Sequence, residues 1–263
     1  MRLSRLVLPW LALLVGSPAL AKMVAKPVGW TLDGITFESV LVYDDASGAK
    51  RPGLVMVPNW YGIRDIAIEK AKAIAGKDYV ILIADMYGER ARPRSEAEAR
   101  AATAPLYSDR NLMRARVGKA FSELSAATKA APIDPARLAA IGFCFGGSAV
   151  LDLARSGSEA KAVIAFHGGL KTDDPGLAKS IKARVLVING ADDAGTLPDV
   201  PKFKDEMRAS SADWLFVEMG GAVHCFTETE ATSKTGNCRY DEKVAERAYA
   251  MMRAWLEESF VKK

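Results

Sequence analysis

A cysteine at the tip of GFCFGG is the strongest chemical signal in the chain. Cys144 lies between Gly142 and Gly146, after the apolar run 138–141 and before a helix-forming segment, 148–154. A nucleophile presented between a strand and a helix needs a strained backbone at the turn. It also needs small residues two positions to either side, where a β-carbon would strike the adjoining strand or helix. The free N–H groups and dipole of the helix N-terminus then favour a thiolate. The plain alternative is a buried cysteine in a Gly-rich turn, so what matters is whether other loops bring it a base and an acid.

The chain holds two histidines. His224, in GGAVHCF, follows a glycine pair and is the expected base. His167, in FHGG, is the rival and is expected to line the site or hold a loop by a hydrogen bond. In NGADD, Asp193 is the expected acid that orients the imidazole, and Asp192 is left to turn or cap chemistry. The resulting chain order of nucleophile, acid and histidine is the one found in nucleophile-elbow enzymes. An oxyanion needs two backbone N–H groups, for which Phe145, next to the nucleophile, and Trp60, after the first buried strand, are the expected donors. Asn59 shares the loop with Trp60. The side chains of Trp60, Tyr61, Tyr87, Phe143, Phe145 and Phe226 either shape an aromatic pocket or pack the core.

The elements that must carry these residues follow from apolar runs. Residues 53–57, 79–84, 138–141, 162–166, 184–189 and 214–217 read as strands, mostly buried on both faces. Residues 35–43 alternate as an edge strand or hairpin does. Helical periodicity covers 64–75, 95–102, 109–131, 148–154, 174–182, 200–209 and 241–260. Strands alternating with helices predict an α/β fold around a mostly parallel, twisted sheet with helices on both faces, as a single domain over 22–263. Chemistry in such sheets collects beyond the carboxyl ends of the strands, where Asn59, Cys144, Asp193 and His224 all fall.

Composition narrows the partners. The formal charge of +4 comes with no run of basic residues, which argues against nucleic acid. No metal-finger cysteine spacing or phosphate loop is present. Arg2 and Arg5 precede an apolar run, 6–15, and then Ala19-Leu20-Ala21. This pattern predicts a secretory signal peptide over 1–21, cut before Lys22, rather than a membrane anchor, and so a periplasmic or secreted protein with no stable membrane span. In an oxidising compartment three cysteines leave one over. Cys225 and Cys238 flank the polar segment TETEATSKTGN, and pairing them leaves Cys144 free. Such a loop closure contributes about 3 kcal/mol in a chain-entropy model. Two unpaired cysteines are the alternative.

Taken in order, PNWYG, ADMYG, GFCFGG, NGADD, GGAVHCFT and RYDEKVAERA make the chain similar to the dienelactone hydrolases (carboxymethylenebutenolidases) of the α/β-hydrolase superfamily, over nearly all of its length after residue 21. The resemblance implies a Cys144–Asp193–His224 triad that cleaves a small-molecule ester or lactone through an acyl-thioenzyme, with no metal or organic cofactor. It is incomplete at three places. Where the family has a glutamate facing the thiol, this chain has Asn59. Where two arginines hold the substrate carboxylate, it has Glu89 and Glu228, and only Arg90, beside the first, offers a replacement cation. The expectation is therefore a dienelactone hydrolase-like enzyme with a different substrate. The competing readings are a non-catalytic ligand-binding protein on the same scaffold and a thiol–disulfide exchanger, the latter disfavoured by the absence of C-x-x-C.

Overall fold

Five of the six apolar runs become strands with protein on both faces, and the sixth, 214–217, becomes a half-exposed edge strand. A computed structural model describes residues 22–46 and 48–261; the expected signal peptide, 1–21, lies outside the described residues. Strands β3 (Arg51–Val57), β4 (Val80–Ile83), β5 (Ile133–Phe143), β6 (Ala162–Phe166), β7 (Arg184–Gly190) and β8 (Trp214–Met219) run parallel. A hairpin of β1 (Met23–Leu32) and β2 (Ile35–Asp44) joins antiparallel, giving the order β1-β2-β4-β3-β5-β6-β7-β8.

Helices cover both faces. On one side lie α2 (Glu96–Ser108), α3 (Arg110–Ala126), α4 (Phe145–Arg155) and α5 (Val200–Arg208), which bury Leu106, Met113, Val117, Leu124, Val150 and Phe203. On the other lie α1 (Asp65–Ala75) and α6 (Glu242–Phe260), which bury Ala71, Ile74, Ala248, Met252 and Leu256. Helix starts carry the expected caps: Ser95, Asp109 and Asp241 each accept a hydrogen bond from the amide three residues on, which satisfies a donor the helix cannot.

Several elements differ from the sequence expectation. Strand β1 was not expected at all, and β5 begins five residues earlier than its apolar run. Helix α2 runs through Pro105 to Ser108, and α3 stops at Ala126 and is followed by a 3₁₀ turn, 127–129. The segment 174–182 is a 3₁₀ turn, Pro175–Ser180, rather than an α-helix. None of these changes the edge where the site forms. The parallel strands all deliver their carboxyl ends to one rim, so the loops after β3, β5, β6, β7 and β8 meet there.

Candidate active site

The nucleophile elbow is enforced by contact. A β-carbon on Gly142 would lie 2.1 Å from the Gly146 carbonyl oxygen, and one on Gly146 would lie 2.0 Å from that of Val57 and 2.6 Å from that of Pro58. The start of α4 therefore presses directly on the loop after β3. Cys144 between them has φ 53° and ψ −115°, a conformation that a side-chain-bearing residue adopts only where its surroundings hold it. Its amide donates to the Phe166 carbonyl across β6 at 3.0 Å.

A second close approach brings Asp193 and His224 together. A β-carbon on Gly190 would meet the Ala222 carbonyl oxygen at 2.4 Å, so only glycine lets the loop after β7 lie against the loop after β8. Asp193 and His224 sit on these loops. The His224 Nδ1 is 2.8 Å from Asp193 Oδ2, and its Nε2 is 3.1 Å from Cys144 Sγ. The thiol, imidazole and carboxylate form one line, with Cys144 partly open to solvent and Asp193 fully buried.

The charges in this line support one another. Asp193 accepts from the Gly195 amide and from Thr196 Oγ1, both at 3.0 Å, and from Asn237 Nδ2 at 2.8 Å. Burial works against its ionised form, but the hydrogen bonds from His224, Asn237 and Gly195 outweigh it and hold the carboxyl at about 2. For His224 too, burial disfavours the charge, and the bonds to Asp193 and Cys144 overcome it and raise the imidazole to about 10. The arrangement can hold a proton on His224 while the sulfur carries the negative charge, which is the state a thiol nucleophile needs.

The loop after β3 brings Trp60 beside the start of α4. The amides of Trp60 and Phe145 have no acceptor among the described residues, and the Trp60 carbonyl accepts from the Tyr87 hydroxyl at 2.9 Å. Tyr87 packs on the buried Phe145 ring, and Tyr107 packs on it edge-to-face from α2. Burial is the main reason the Tyr107 hydroxyl is pushed up to about 12, although the residue as a whole is 46 % exposed. Tyr61 is half-buried, edge-on to Trp60, with the Arg64 guanidinium over its ring.

Beneath the histidine loop lies a buried polar cluster. Glu228 accepts from Lys70 Nζ and from Asn59 Nδ2, both at 2.6 Å, and Asn59 Oδ1 accepts from the Tyr61 amide at 3.1 Å. Burial opposes the Glu228 charge, yet Lys70 and His167 hold it well below the ordinary carboxylate range. His167 is fully buried, shares a 2.7 Å hydrogen bond through Nε2 with Thr227 Oγ1, and sits edge-on to the His224 ring; burial lowers it to about 4, so it is neutral.

Sequence-predicted residues thus separate into three groups. Cys144, Asp193 and His224 come together, Trp60, Tyr87 and Phe145 meet at the start of α4, and Asn59 joins Glu228 while Tyr61 lies edge-on to Trp60. Phe143 and Phe226 are corrections to the pocket set: both are fully buried in the core on the α1/α6 face, where Phe143 stacks on Phe166 at 4.8 Å and Phe226 packs on His167. Arg90 points to solvent, 95 % exposed, with its Nε 3.9 Å from Glu89. Tyr107, Thr196, Asn237 and Lys70 were missed. Cys225 and Cys238 form a disulfide, and Cys144 is the free thiol. Among the described residues no cluster of His, Cys, Asp or Glu is arranged to hold a metal ion, and no helix is long and apolar enough to cross a membrane.

A strand order that interleaves β4 before β3, with a nucleophile elbow after β5, defines an α/β-hydrolase. Residues 37–260 match the model of the dienelactone hydrolase family, and the chain belongs to that family. It is 34% identical to a dienelactone hydrolase-like promiscuous phosphotriesterase from metagenomic libraries, with a TM-score of 0.81, covering 90% of this chain and 98% of that one. An uncharacterised protein of Caenorhabditis elegans is 35% identical over 162 residues, 58% of this chain and 98% of its own. A dienelactone hydrolase of Anabaena variabilis shares the fold at 18% identity and a TM-score of 0.66, covering 90% of this chain and 98% of that one.

Proposed function

We propose that the chain is an exported thiol hydrolase of small carboxylic esters or lactones, and that the observation carrying this reading is the hydrogen-bonded line from Cys144 through His224 to Asp193. In the reaction His224 takes the thiol proton and the Cys144 sulfur attacks the acyl carbon. The oxyanion that forms is met by the amides of Trp60 and Phe145. As the tetrahedral species collapses, His224 returns the proton to the leaving alkoxide and leaves an acyl-thioenzyme. Water, deprotonated by the same imidazole, then releases the acid. Asp193 keeps Nδ1 protonated so that Nε2 always faces the sulfur.

The substrate is better matched by a neutral acyl group than by dienelactone, which carries a carboxylate. Glu228 is committed to Lys70 and Asn59, Glu89 is acidic, and Arg90 extends into solvent. A neutral phosphotriester fits the same charge pattern, and the metagenomic relative is a promiscuous phosphotriesterase. The reading is tested by turnover of a panel of activated esters, lactones and phosphotriesters. Cys144→Ala and His224→Ala are each expected to lose at least about a thousandfold in kcat; wild-type turnover by Cys144→Ala overturns the assignment.

The second reading, a ligand-binding protein on this scaffold, is motivated by Asn59, Glu89 and Glu228 at the family's glutamate and arginine positions. It would give ligand protection of Cys144 against alkylation with no turnover across the panel. Export rests on the basic, apolar and A-x-A pattern of residues 1–21, and mature protein recovered from a Gram-negative periplasm is expected to begin at Lys22.

A further inference from the structure

One disulfide-closed loop, 225–238, adjoins the base His224 and touches the acid Asp193 through Asn237. Each sulfur belongs to the residue immediately after a site residue: Cys225 follows His224, and Cys238 follows Asn237. Asn237 donates through Nδ2 to Asp193 Oδ1 at 2.8 Å and accepts through Oδ1 from the Ala194 amide at 3.1 Å. It therefore grips the aspartate loop at two points. Together with the Gly195 amide it occupies Oδ1, which leaves Oδ2 for Thr196 and the imidazole.

Asn237 is itself exposed, at the end of a polar turn. Within that turn Ser233 and Thr235 bond only each other among the described residues. Backbone bonds from Arg239 to the His224 carbonyl and from Asp241 to the Phe226 carbonyl hold the chain after Cys238. On the other side of Asn237 the Gly236 carbonyl accepts from Arg239 Nη1 at 3.2 Å, and His224 and Cys238 pair as an isolated parallel bridge, so the disulfide is the one covalent tether among ties that are otherwise hydrogen bonds.

We propose that Asn237 is a positioning residue for the Asp193–His224 pair and that the Cys225–Cys238 bond keeps it in place, so that the thiol is fully activated only when this bond is closed. The proposal deepens the triad reading and rests on it. A neutral amide donor steadies the ionised aspartate without competing for the imidazole proton. Its loss weakens the hold of Asp193 on His224 and makes the thiolate–imidazolium state harder to reach.

The test uses kcat and KM on an activated ester, and the pH profile of Cys144 alkylation by iodoacetamide read on the Cys144 peptide by mass spectrometry. Wild type, Asn237→Ala, Cys225→Ser/Cys238→Ser and the triple variant are compared. Asn237→Ala is expected to lose about tenfold in kcat at nearly unchanged KM, with its alkylation profile moved to higher pH. The double serine variant is expected to show the same loss and the same shift. The triple variant is expected to be no worse than either, because the two changes act through one contact. Wild-type profiles in the variants, or losses that simply multiply, overturn the brace. If wild type turns over no substrate, the hydrolase reading fails separately, and the alkylation profiles still decide the brace. If the serine variants do not fold, the profile is taken on folded wild type before and after a dithiol reductant. That reagent passes two electrons and two protons to Cys225 and Cys238 and itself becomes a disulfide.

Discussion

The two histidines lie edge-to-edge with ring centroids 5.0 Å apart, yet their environments push them in opposite directions. His224 is raised to about 10 in the folded chain by Asp193 and Cys144, against the effect of burial. Its contribution to stability is full below about pH 6.5, the ordinary histidine value, and is lost as pH rises through about 10. His167 is lowered to about 4 by burial. The native state there prefers the neutral ring, so that stability is full above about pH 6.5 and is lost as pH falls toward 4. The urea midpoint is expected to fall on both sides of neutrality. His224→Gln should flatten the alkaline limb between pH 7 and 10 and leave the acid limb in place; an unchanged alkaline limb would show that the pairing with Asp193 and Cys144 does not stabilise the fold. The hydrogen-bonded Cys144, Asp193 and His224 were legible because GFCFGG, NGADD and GGAVHCF each join a titratable residue to the glycine that presents it. Asn237 was not legible, since an asparagine in TSKTGN looks like ordinary turn chemistry until the disulfide swings it beneath Asp193. Phe143 misled because it adjoins Cys144 at a strand end, where the next side chain turns to the opposite face, and Phe226 because the turn after His224 sends its ring into the core against His167.

Among the elements, the contact between α4 and the loop after β3 sets the distance between the two free amides. Gly146→Ala would put a methyl group 2.0 Å from the Val57 carbonyl oxygen, where backbone faces backbone and no side chain can yield. The expected result is a folded protein with kcat reduced by about a hundredfold as the Trp60 and Phe145 amides are forced apart. Gly118→Ala in α3 is the control, because no heavy atom lies within 4 Å of the added carbon. It should keep wild-type kcat and raise stability by about 0.5–1 kcal/mol through helix propensity. Equal damage from both would sever the link between this contact and turnover. The central strands were readable as elements because burial on both faces writes itself as a continuous apolar run. Strand β1 was not, since it lies at the sheet edge, carries Pro27 and Gly29, and buries only Trp30. Helix α2 was expected over 95–102 only and continues to Ser108. Pro105 lies in the last turn, where its missing amide leaves the Ala101 carbonyl without its helical donor but does not end the helix, and the residues beyond it include Tyr107, whose ring packs edge-to-face on Phe145.

At the scale of the molecule, the helices on the α4 face are tied by buried charge. Arg155, 1 % exposed on α4, reaches Glu206 on α5 through two bonds of 2.7 and 2.9 Å and donates to Asp152 at 3.1 Å. Asp152 in turn accepts from Arg110 on α3 at 2.9 Å. Removing Glu206 leaves the buried Arg155 with only Asp152, which it shares with Arg110, so Glu206→Ala is expected to lower unfolding free energy by about 3 kcal/mol in urea titration. A loss below about 1 kcal/mol would mean that solvent reaches the pair. Such ties had no sequence signature, because the partners are brought together only by the packing of three helices.

The distances along the chain between partners at the rim have a kinetic meaning. Cys144 and His224 are 80 residues apart, and Asn59 and Glu228, which link the amide-bearing loop to the histidine loop, are 169 apart. Contacts of such long range close large loops, and each gives up chain entropy before any packing returns it. A chain emerging from its N-terminus completes the elbow while the imidazole is still unmade. The sulfur is then an ordinary thiol in a half-built sheet. Reactivity at Cys144 thus arrives with the final docking of the chain, and its rise during refolding times that last event without any added label.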